Sequence, residues 1–251
     1  MKAIFIGVGD AFDERETNTS ILIDFEGTRI LLDCGFTVPK SLFSLIPDAD
    51  SIDAVFISHF HGDHFMGVPY LLGHMRSAGR KSPLTFIGPK DIEQKIISAV
   101  NFAYPTLLSK LEFNLFFEPL TAGEAAFNNS VVIKSVPVVH SVDAFAIKMK
   151  CNGFSLYYSG DGCPGDEAFK LAEGCDFIIH ESWGIEKGSA SHGSVSKSIE
   201  LARYAGCRTL ALIHVYSRLR DKLSLLYKSG AFAGEDFEIV LPEQGDELIF
   251  N

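Results

Sequence analysis

The sequence predicts an α/β protein in which helices cover the outer faces of β-sheets. Short apolar runs alternate with helical patterns along the 251 residues. Two predicted strands contain runs, 54–57 and 210–213, that are apolar at every position, and strands of this kind are buried on both faces. Sheets covered by helices satisfy this requirement, so we expect a layered α/β sandwich. Because folds of this kind often reach such a length as one unit, we predict a single domain over residues 1–251.

Local signals define the strands and helices of this sandwich. Glu26-Gly27 between two apolar runs is typical of a hairpin turn, Pro69 fits the first turn of a helix, and Ser194 is a good helix start. The predicted strands are 21–25, 28–32, 53–57, 83–87, 131–139, 144–150, 154–159, 177–179, 209–213 and 247–250. The predicted helices are 68–76, 90–101, 164–172, 194–205 and 217–227.

Composition and charge exclude several classes of protein. A hydrophobic fraction of 47% is that of a globular protein and excludes a disordered chain. The 22 basic and 32 acidic residues give a net charge of −10, which argues against a broad basic surface for nucleic acids. The five cysteines form no C-x-x-C pair and are expected to be free thiols. With no apolar run of about 18 residues and no signal peptide, we expect a cytoplasmic protein without a membrane contact.

Six of the predicted strands end in residue types that bind metal ions. These residues are Asp33, His59, His140, Asp161, His180 and His214. The carboxyl ends of strands are where open sheets build their sites. The sequence therefore predicts that a site lies at this edge.

The densest group of such residues is the hexapeptide 59–64, His-Phe-His-Gly-Asp-His. In an extended segment, residues i and i+2 point the same way, so His59 and His61 can bind one ion. Gly62 lets the chain reverse, so that Asp63 and His64 can face a second ion. Imidazole nitrogen and carboxylate oxygen are ligands that suit Zn²⁺.

These motifs resemble those of the metallo-β-lactamase superfamily. The matching residues are His59-x-His61-x-Asp63-His64, then His140, Ser159-Gly160-Asp161 and His214. The resemblance implies a four-layer αββα sandwich that holds two Zn²⁺ ions, with Mn²⁺ or iron as alternatives.

The resemblance also implies which residue binds which ion. By it, His59, His61 and His140 bind one ion. Asp63, His64 and His214 bind the other ion, and Asp161 bridges the two. Asp33 would support a ligand imidazole, while His180 lies outside the metal ligands and has a structural role.

Within the superfamily, the sequence is most similar to ribonuclease Z. The elements that carry this similarity are His180-Glu181-Ser182, Ser191-His192-Gly193-Ser194 and the segment 214–218. By this resemblance, His192 protonates the leaving oxygen and Glu181 orients His192. Asp63, beside the bound water, can accept a proton from the nucleophile. The predicted activity is that of a metal-dependent hydrolase, a phosphodiesterase that uses a metal-bridging hydroxide.

Two departures from ribonuclease Z argue against tRNA as the substrate. Asp161 follows His140 by only 21 positions, where many members of that family carry a tRNA-binding arm. The loop 10–16 is acidic where an RNA backbone would pass, and like charges repel. We therefore expect a small-molecule or short phosphodiester substrate. Dimers are common among the proteins that this sequence resembles, so a homodimer is the assembly that the resemblance suggests.

Two other functions are consistent with the same ligands. One is a hydrolase of carboxylic esters, lactones or thioesters, because fold and metal alone do not determine the substrate. The other is a non-catalytic metal-binding or sensory module. The presence of all seven predicted ligands favours an enzyme over this second alternative.

Overall fold

Two seven-stranded sheets organise the residues that the structure, a computed structural model, describes, namely 1–120, 123–127 and 131–250. Each sheet belongs to one of two units. Unit 1 comprises Met1–Gly7, Arg15–Thr121 and Gln244–Asn251, and unit 2 comprises Val8–Glu14 and Ala122–Glu243. The single-domain organisation over residues 1–251 stays a prediction.

The sheet of unit 1 is antiparallel at one side and parallel at the other. Its strands are β1 (Lys2–Gly7), β2 (Ser20–Phe25), β3 (Thr28–Leu32), β4 (Ala54–Phe56), β5 (Leu84–Pro89), β6 (Leu115–Leu120) and β14 (Glu247–Ile249), in the spatial order β14-β1-β2-β3-β4-β5-β6. β14 to β3 pair antiparallel, and β3 to β6 pair parallel. The predicted hairpin turn is confirmed: Glu26 and Gly27 both have positive φ, as a tight two-residue turn requires.

Helices bury one face of this sheet in unit 1. They are α1 (Val38–Leu45), α2 (Gly62–Phe65), α3 (Val68–Ser77) and α4 (Ile92–Ala103), followed by a short 3₁₀ helix at Leu108–Lys110. Leu42 of α1, Leu71 of α3 and Ile96 of α4 are fully buried in one apolar core with Val55 and Phe86. Proline in the first turn of α1 and of α3 costs no helical hydrogen bond.

Unit 2 has the same plan, an antiparallel part followed by a parallel part. Its strands are β7 (Gly123–Phe127), β8 (Val131–Val138), β9 (Ala144–Cys151), β10 (Phe154–Tyr158), β11 (Phe177–Glu181), β12 (Thr209–Ile213) and β13 (Glu238–Val240), in the spatial order β13-β12-β11-β10-β9-β8-β7. β7 to β10 pair antiparallel, and β10 to β13 pair parallel. Its helices are α5 (Asp166–Ala172), α6 (Val195–Ala205) and α7 (Ser217–Lys228).

The predicted elements are present, with one difference that concerns the site. β11 continues to Glu181, so His180 and Glu181 are strand residues and do not follow the strand as predicted. The reason is that both residues continue the parallel pairing with β12, opposite Leu212 and Ile213.

Ser194 caps α6 as predicted, since its side chain accepts a hydrogen bond from the Lys197 amide. None of the helices in the described part of the chain is long and apolar enough to cross a membrane.

Candidate metal centre

The hexapeptide of unit 1 follows β4 and changes from extended chain to helix in its middle. His61 is extended, with φ −73° and ψ 151°, and it precedes α2, which contains Asp63 and His64. This reversal brings the predicted ligands of unit 1 together. The ring centroid of His59 lies 4.7 Å from that of His61 and 4.3 Å from that of His64. The Nε2 atom of His64 lies 3.1 Å from Oδ2 of Asp63.

A buried carboxylate, that of Asp33, orients two of these imidazoles. It accepts hydrogen bonds from Nδ1 of His64 at 2.8 Å, and from the amide and hydroxyl of Ser58 at 2.7 and 2.8 Å. Since the Ser58 hydroxyl donates to Asp33, it accepts from Nδ1 of His59 at 3.0 Å. Both imidazoles therefore carry their proton on Nδ1 and present an Nε2 lone pair, which is the state that a metal ligand needs.

The sequence does not reveal the role of Ser58. The one signal is a small hydroxyl residue placed between an apolar strand and the first histidine of the hexapeptide.

The strain at Asp33 is a second feature that the sequence does not reveal. Its φ of 60° is unfavourable for a residue with a side chain. The hydrogen bonds that its carboxylate accepts from Ser58 and His64 hold the backbone in this conformation.

Close backbone contact joins the run 31–35 to the hexapeptide. The amide of Cys34 donates to the carbonyl oxygen of His64 at 2.8 Å, and that of Gly67 donates to the Cys34 carbonyl oxygen at 2.9 Å. A Cβ atom placed on Gly35 would lie 1.9 Å from the Asp63 carbonyl oxygen. Only glycine fits at this position, because any side chain would push the two segments apart.

In unit 2 the predicted ligands lie at the carboxyl ends of three strands, as the sequence predicts. His140 follows β8, Asp161 follows β10 and His214 follows β12. The Nε2 atom of His214 lies 3.3 Å from Oδ2 of Asp161. Nδ1 of His140 donates to the carbonyl oxygen of Ser191 at 2.8 Å, so this imidazole is in the tautomer that binds a metal through Nε2.

These side chains fit a divalent metal ion. The donor atoms are imidazole nitrogens and carboxylate oxygens, the ligands of zinc and of neighbouring transition metals. Two ligands of a tetrahedral ion with bonds of about 2.0–2.1 Å lie roughly 3.3 Å apart. The Asp63–His64 pair at 3.1 Å and the Asp161–His214 pair at 3.3 Å match this separation.

His192, the predicted acid, lies beside the ligands of unit 2. His140, Asp161 and His192 each offer an atom within 4.8 Å of the other two. Nδ1 of His192 lies 3.5 Å from Oε1 of Glu181 and 4.0 Å from Oδ2 of Asp161. The second distance exceeds the ligand-to-ligand separation of about 3.3 Å. His192 therefore neighbours the predicted ligands. Its Nδ1 faces the Glu181 carboxylate without a hydrogen bond, and its ring stacks on that of Trp183 at a centroid distance of 5.6 Å.

Two further predicted residues have mainly structural contacts. His180 is fully buried in β11, and burial lowers its pKa. Its Nδ1 donates to the Glu181 carbonyl oxygen at 2.6 Å and lies 3.0 Å from the Ser198 hydroxyl of α6.

Asp10, the first residue of the acidic loop, is also buried. Its carboxylate accepts a hydrogen bond at 2.7 Å from the amide of Ser217, which starts α7. The charge of Asp10 thus stabilises a helix start.

The fold places this protein among the proteins with the metallo-β-lactamase fold. The structure is similar to that of YhfI from Bacillus subtilis, a metallo-β-lactamase fold protein, over 98% of both chains, with a TM-score of 0.79 and 23% identity. It is also similar to the short form of human tRNase Z over 99% of both chains, with a TM-score of 0.78 and 21% identity. In sequence, it is 26% identical to ribonuclease Z of Methanothermobacter thermautotrophicus over 88% of both chains.

Residues 1–219 match the profile of the family described as Anti-Pycsar protein Apyc1. The chain belongs to this family. The resemblance to the metallo-β-lactamase superfamily and to its ribonuclease Z-like branch is confirmed, as is the fold class. The prediction of a metal-dependent hydrolase is confirmed as well.

Proposed function

We propose that this hydrolase cleaves phosphodiesters at a centre of two Zn²⁺ ions. Seven predicted ligands would hold these ions. His59, His61 and His140 would hold one ion, Asp63, His64 and His214 would hold the other, and Asp161 would be a ligand of both.

The supporting observations are the hydrogen bonds at Nδ1 of His59, His64 and His140, which favour the tautomer that binds a metal through Nε2, and the short Asp–His separations. Mn²⁺ and iron are the alternative metals, because availability can override affinity.

When bound, divalent ions act as Lewis acids that activate water near neutral pH and stabilise the charge developing on phosphoryl oxygens. The protein supplies the proton transfers. The carboxylate of Asp63 accepts a proton from the attacking group, since it lies among the ligands. The imidazole of His192 donates a proton to the leaving oxygen, and Glu181 holds that imidazole in place.

The observation that carries this proposal is the position of His192 in unit 2. Its Nδ1 faces the buried carboxylate of Glu181 at 3.5 Å, and one ring face packs against Trp183. Because Nδ1 faces this carboxylate, Nε2 is the ring nitrogen that would face a substrate oxygen. A positioned histidine of this kind contributes about 10²–10⁴-fold to the rate.

The test uses zinc-loaded protein and bis-p-nitrophenyl phosphate. Wild-type protein is expected to release p-nitrophenol, and the Asp63→Ala variant is expected to lose most of this activity, because it lacks a ligand and a proton acceptor. Equal rates in the two proteins would refute the proposal. Turnover of esters or lactones without phosphodiester cleavage would instead favour the carboxylic ester alternative.

The proposed substrate is a small-molecule or short phosphodiester. The short span between His140 and Asp161 supports this choice over tRNA. A panel of dinucleotides, aryl phosphodiesters and a tRNA precursor would rank the substrates by kcat/KM. The cytoplasmic location and the homodimer stay predictions.

A further inference from the structure

Glu181, the last residue of β11, is a fully buried carboxylate with an unusual set of partners. Its Oε1 atom accepts hydrogen bonds from the amides of Gly193 at 2.6 Å and Gly162 at 3.2 Å. Its Oε2 atom accepts from the amide of Trp183 at 3.0 Å. Charge-assisted bonds of this kind are what allow a carboxylate to be buried.

The donors come from two loops that carry site residues. Gly162 directly follows the predicted ligand Asp161, and Gly193 directly follows His192. One carboxylate therefore fixes the backbone beside a metal ligand and the backbone beside the proposed acid.

The loop after Asp161 has little freedom to find another arrangement. Gly162 has a φ of 142°, and a Cβ atom there would lie 2.7 Å from Cγ2 of Val138. The thiol of Cys163 in the same loop donates to the carbonyl oxygen of His192 at 3.0 Å, so the two loops also touch directly. Removing the anchor at Glu181 would disturb both loops together.

We infer that Glu181 is a positioning residue for the metal ligand Asp161 as well as for His192. Metal affinity and the placement of the acid then depend on the same carboxylate. The inference rests on the proposed function for the roles of Asp161 and His192.

The test compares Glu181→Gln with His192→Gln. In Glu181→Gln, an NH₂ group replaces one carboxylate oxygen, so at least one backbone amide faces a donor instead of an acceptor. Zinc affinity, measured by competition with a chromogenic chelator, is expected to fall about 10- to 100-fold, as is typical when a partner of a ligand is lost. His192→Gln, the matched control, is expected to keep wild-type zinc affinity.

Amide hydrogen exchange of the metal-free proteins gives a second readout. Glu181→Gln is expected to exchange faster than wild type at Gly162 and Gly193, whereas His192→Gln is expected to leave Gly162 unchanged. If Glu181→Gln fails to fold, Glu181→Asp replaces it. The aspartate keeps the charge but is one methylene shorter, so it cannot reach all three amides, and its zinc affinity should also fall.

The inference is overturned if the folded Glu181 variant binds zinc as tightly as wild type, since Glu181 would then act on His192 alone. It is also overturned if His192→Gln loses as much affinity as Glu181→Gln. Neither readout requires turnover. A wild-type protein that cleaves no phosphodiester would refute the proposed function and leave this inference standing.

Discussion

Single hydrogen bonds decide which nitrogen of each imidazole is available to a metal ion. Asp33 is the main determinant in unit 1, because its carboxylate reaches His64 directly and His59 through the Ser58 hydroxyl. In His140 the Nδ1 proton is fixed by a backbone partner, the carbonyl oxygen of Ser191. The predicted ligands are thus oriented by residues that are not themselves predicted to bind an ion.

The first prediction at this scale concerns Asp33→Asn. The amide NH₂ would face either the Nδ1 proton of His64 or a Ser58 donor, so one buried donor would lose its acceptor. We expect zinc affinity to fall about 10- to 100-fold and the free energy of unfolding to fall by about 1–3 kcal/mol. Chelator competition and urea unfolding measure the two effects. Asp24→Asn, at a partly exposed ion pair with Arg29, is the control. Unchanged affinity in Asp33→Asn would contradict the role assigned to this carboxylate.

A second prediction separates the acid from the ligands. His192→Ala is expected to lower kcat about 10²–10⁴-fold for a phosphodiester with an alkoxide leaving group. The loss should be much smaller for a p-nitrophenolate leaving group, which is stable as an anion and needs little protonation. Zinc affinity should not change. Steady-state kinetics on the two substrates measure this difference.

The control for this experiment is His74→Ala. His74 lies in α3, where its ring packs 3.9 Å from that of Phe43, away from the predicted ligands in sequence. It is expected to keep full activity on both substrates. Equal losses on the two substrates in His192→Ala would mean that His192 does not protonate the leaving oxygen.

Most residues of the candidate site carry a signal in the sequence, but the residues that orient them do not. His59, His140, Asp161 and His214 all follow apolar strands, and this signal is local. Ser58 and the amides that face Glu181 gave no such signal. Their roles depend on atoms contributed by distant parts of the chain.

At the scale of elements, the conformation of the hexapeptide depends on the run 31–35, which packs against its backbone. Gly35 and Gly67 allow this contact, and α2 follows the contact with a single helical turn. The turn places Asp63 and His64 beside each other at the ligand-to-ligand separation described above.

The prediction at this scale is that Gly35→Ala disrupts unit 1. The new Cβ would lie 1.9 Å from the Asp63 carbonyl oxygen, so the two segments must separate. Overpacking of this kind costs about 1–3 kcal/mol of unfolding free energy, and we expect zinc affinity to fall with it. Urea unfolding and chelator competition measure both.

Gly234→Ala is the control, because Gly234 is exposed, a Cβ there meets no atom within 4 Å and its φ is not positive. It should change the free energy of unfolding by less than about 0.5 kcal/mol. If Gly35→Ala proved as mild as Gly234→Ala, the close packing would have no energetic consequence.

Several elements lacked a sequence signal for clear reasons. β6 contains Pro119, which usually argues against a strand, but β6 is the last strand in its described sheet, where proline is tolerated. α1 has only eight residues, which is too short for a clear helical pattern. β13 is three residues long and is defined by its pairing with β12. These elements are set by tertiary contacts more than by local propensity.

At the scale of the whole molecule, each unit is assembled from distant parts of the chain. β14 pairs with β1 in unit 1, with Lys2 opposite Ile249. The segment Val8–Glu14 belongs to unit 2, where the Val8 carbonyl oxygen accepts from the His214 amide at 3.0 Å. Such pairings follow no sequence period, and only the structure reveals them.

The prediction at this scale is that metal binding raises the free energy of unfolding of the protein. The predicted ligands are far apart in sequence and are expected to bind zinc only in the folded protein. Free zinc at about 1,000 times its Kd is therefore expected to add roughly 4 kcal/mol per ion to the free energy of unfolding. Thermal unfolding of chelator-treated protein, with and without added zinc, measures this shift. The Asp63→Ala variant should show a smaller shift than wild type. An unfolding temperature that does not depend on zinc would contradict metal binding by the native protein.

The sequence by itself determined the chemical type of the site: imidazoles and carboxylates at the ends of apolar strands, with a dense group at 59–64. The tertiary structure decided how these groups are oriented. The parallel pairing of β10 and β11 brings the loop after Asp161 to the end of the strand that carries Glu181. Hydrogen bonds between residues so far apart in sequence leave no periodic trace, because sheet pairing alone determines which of them meet.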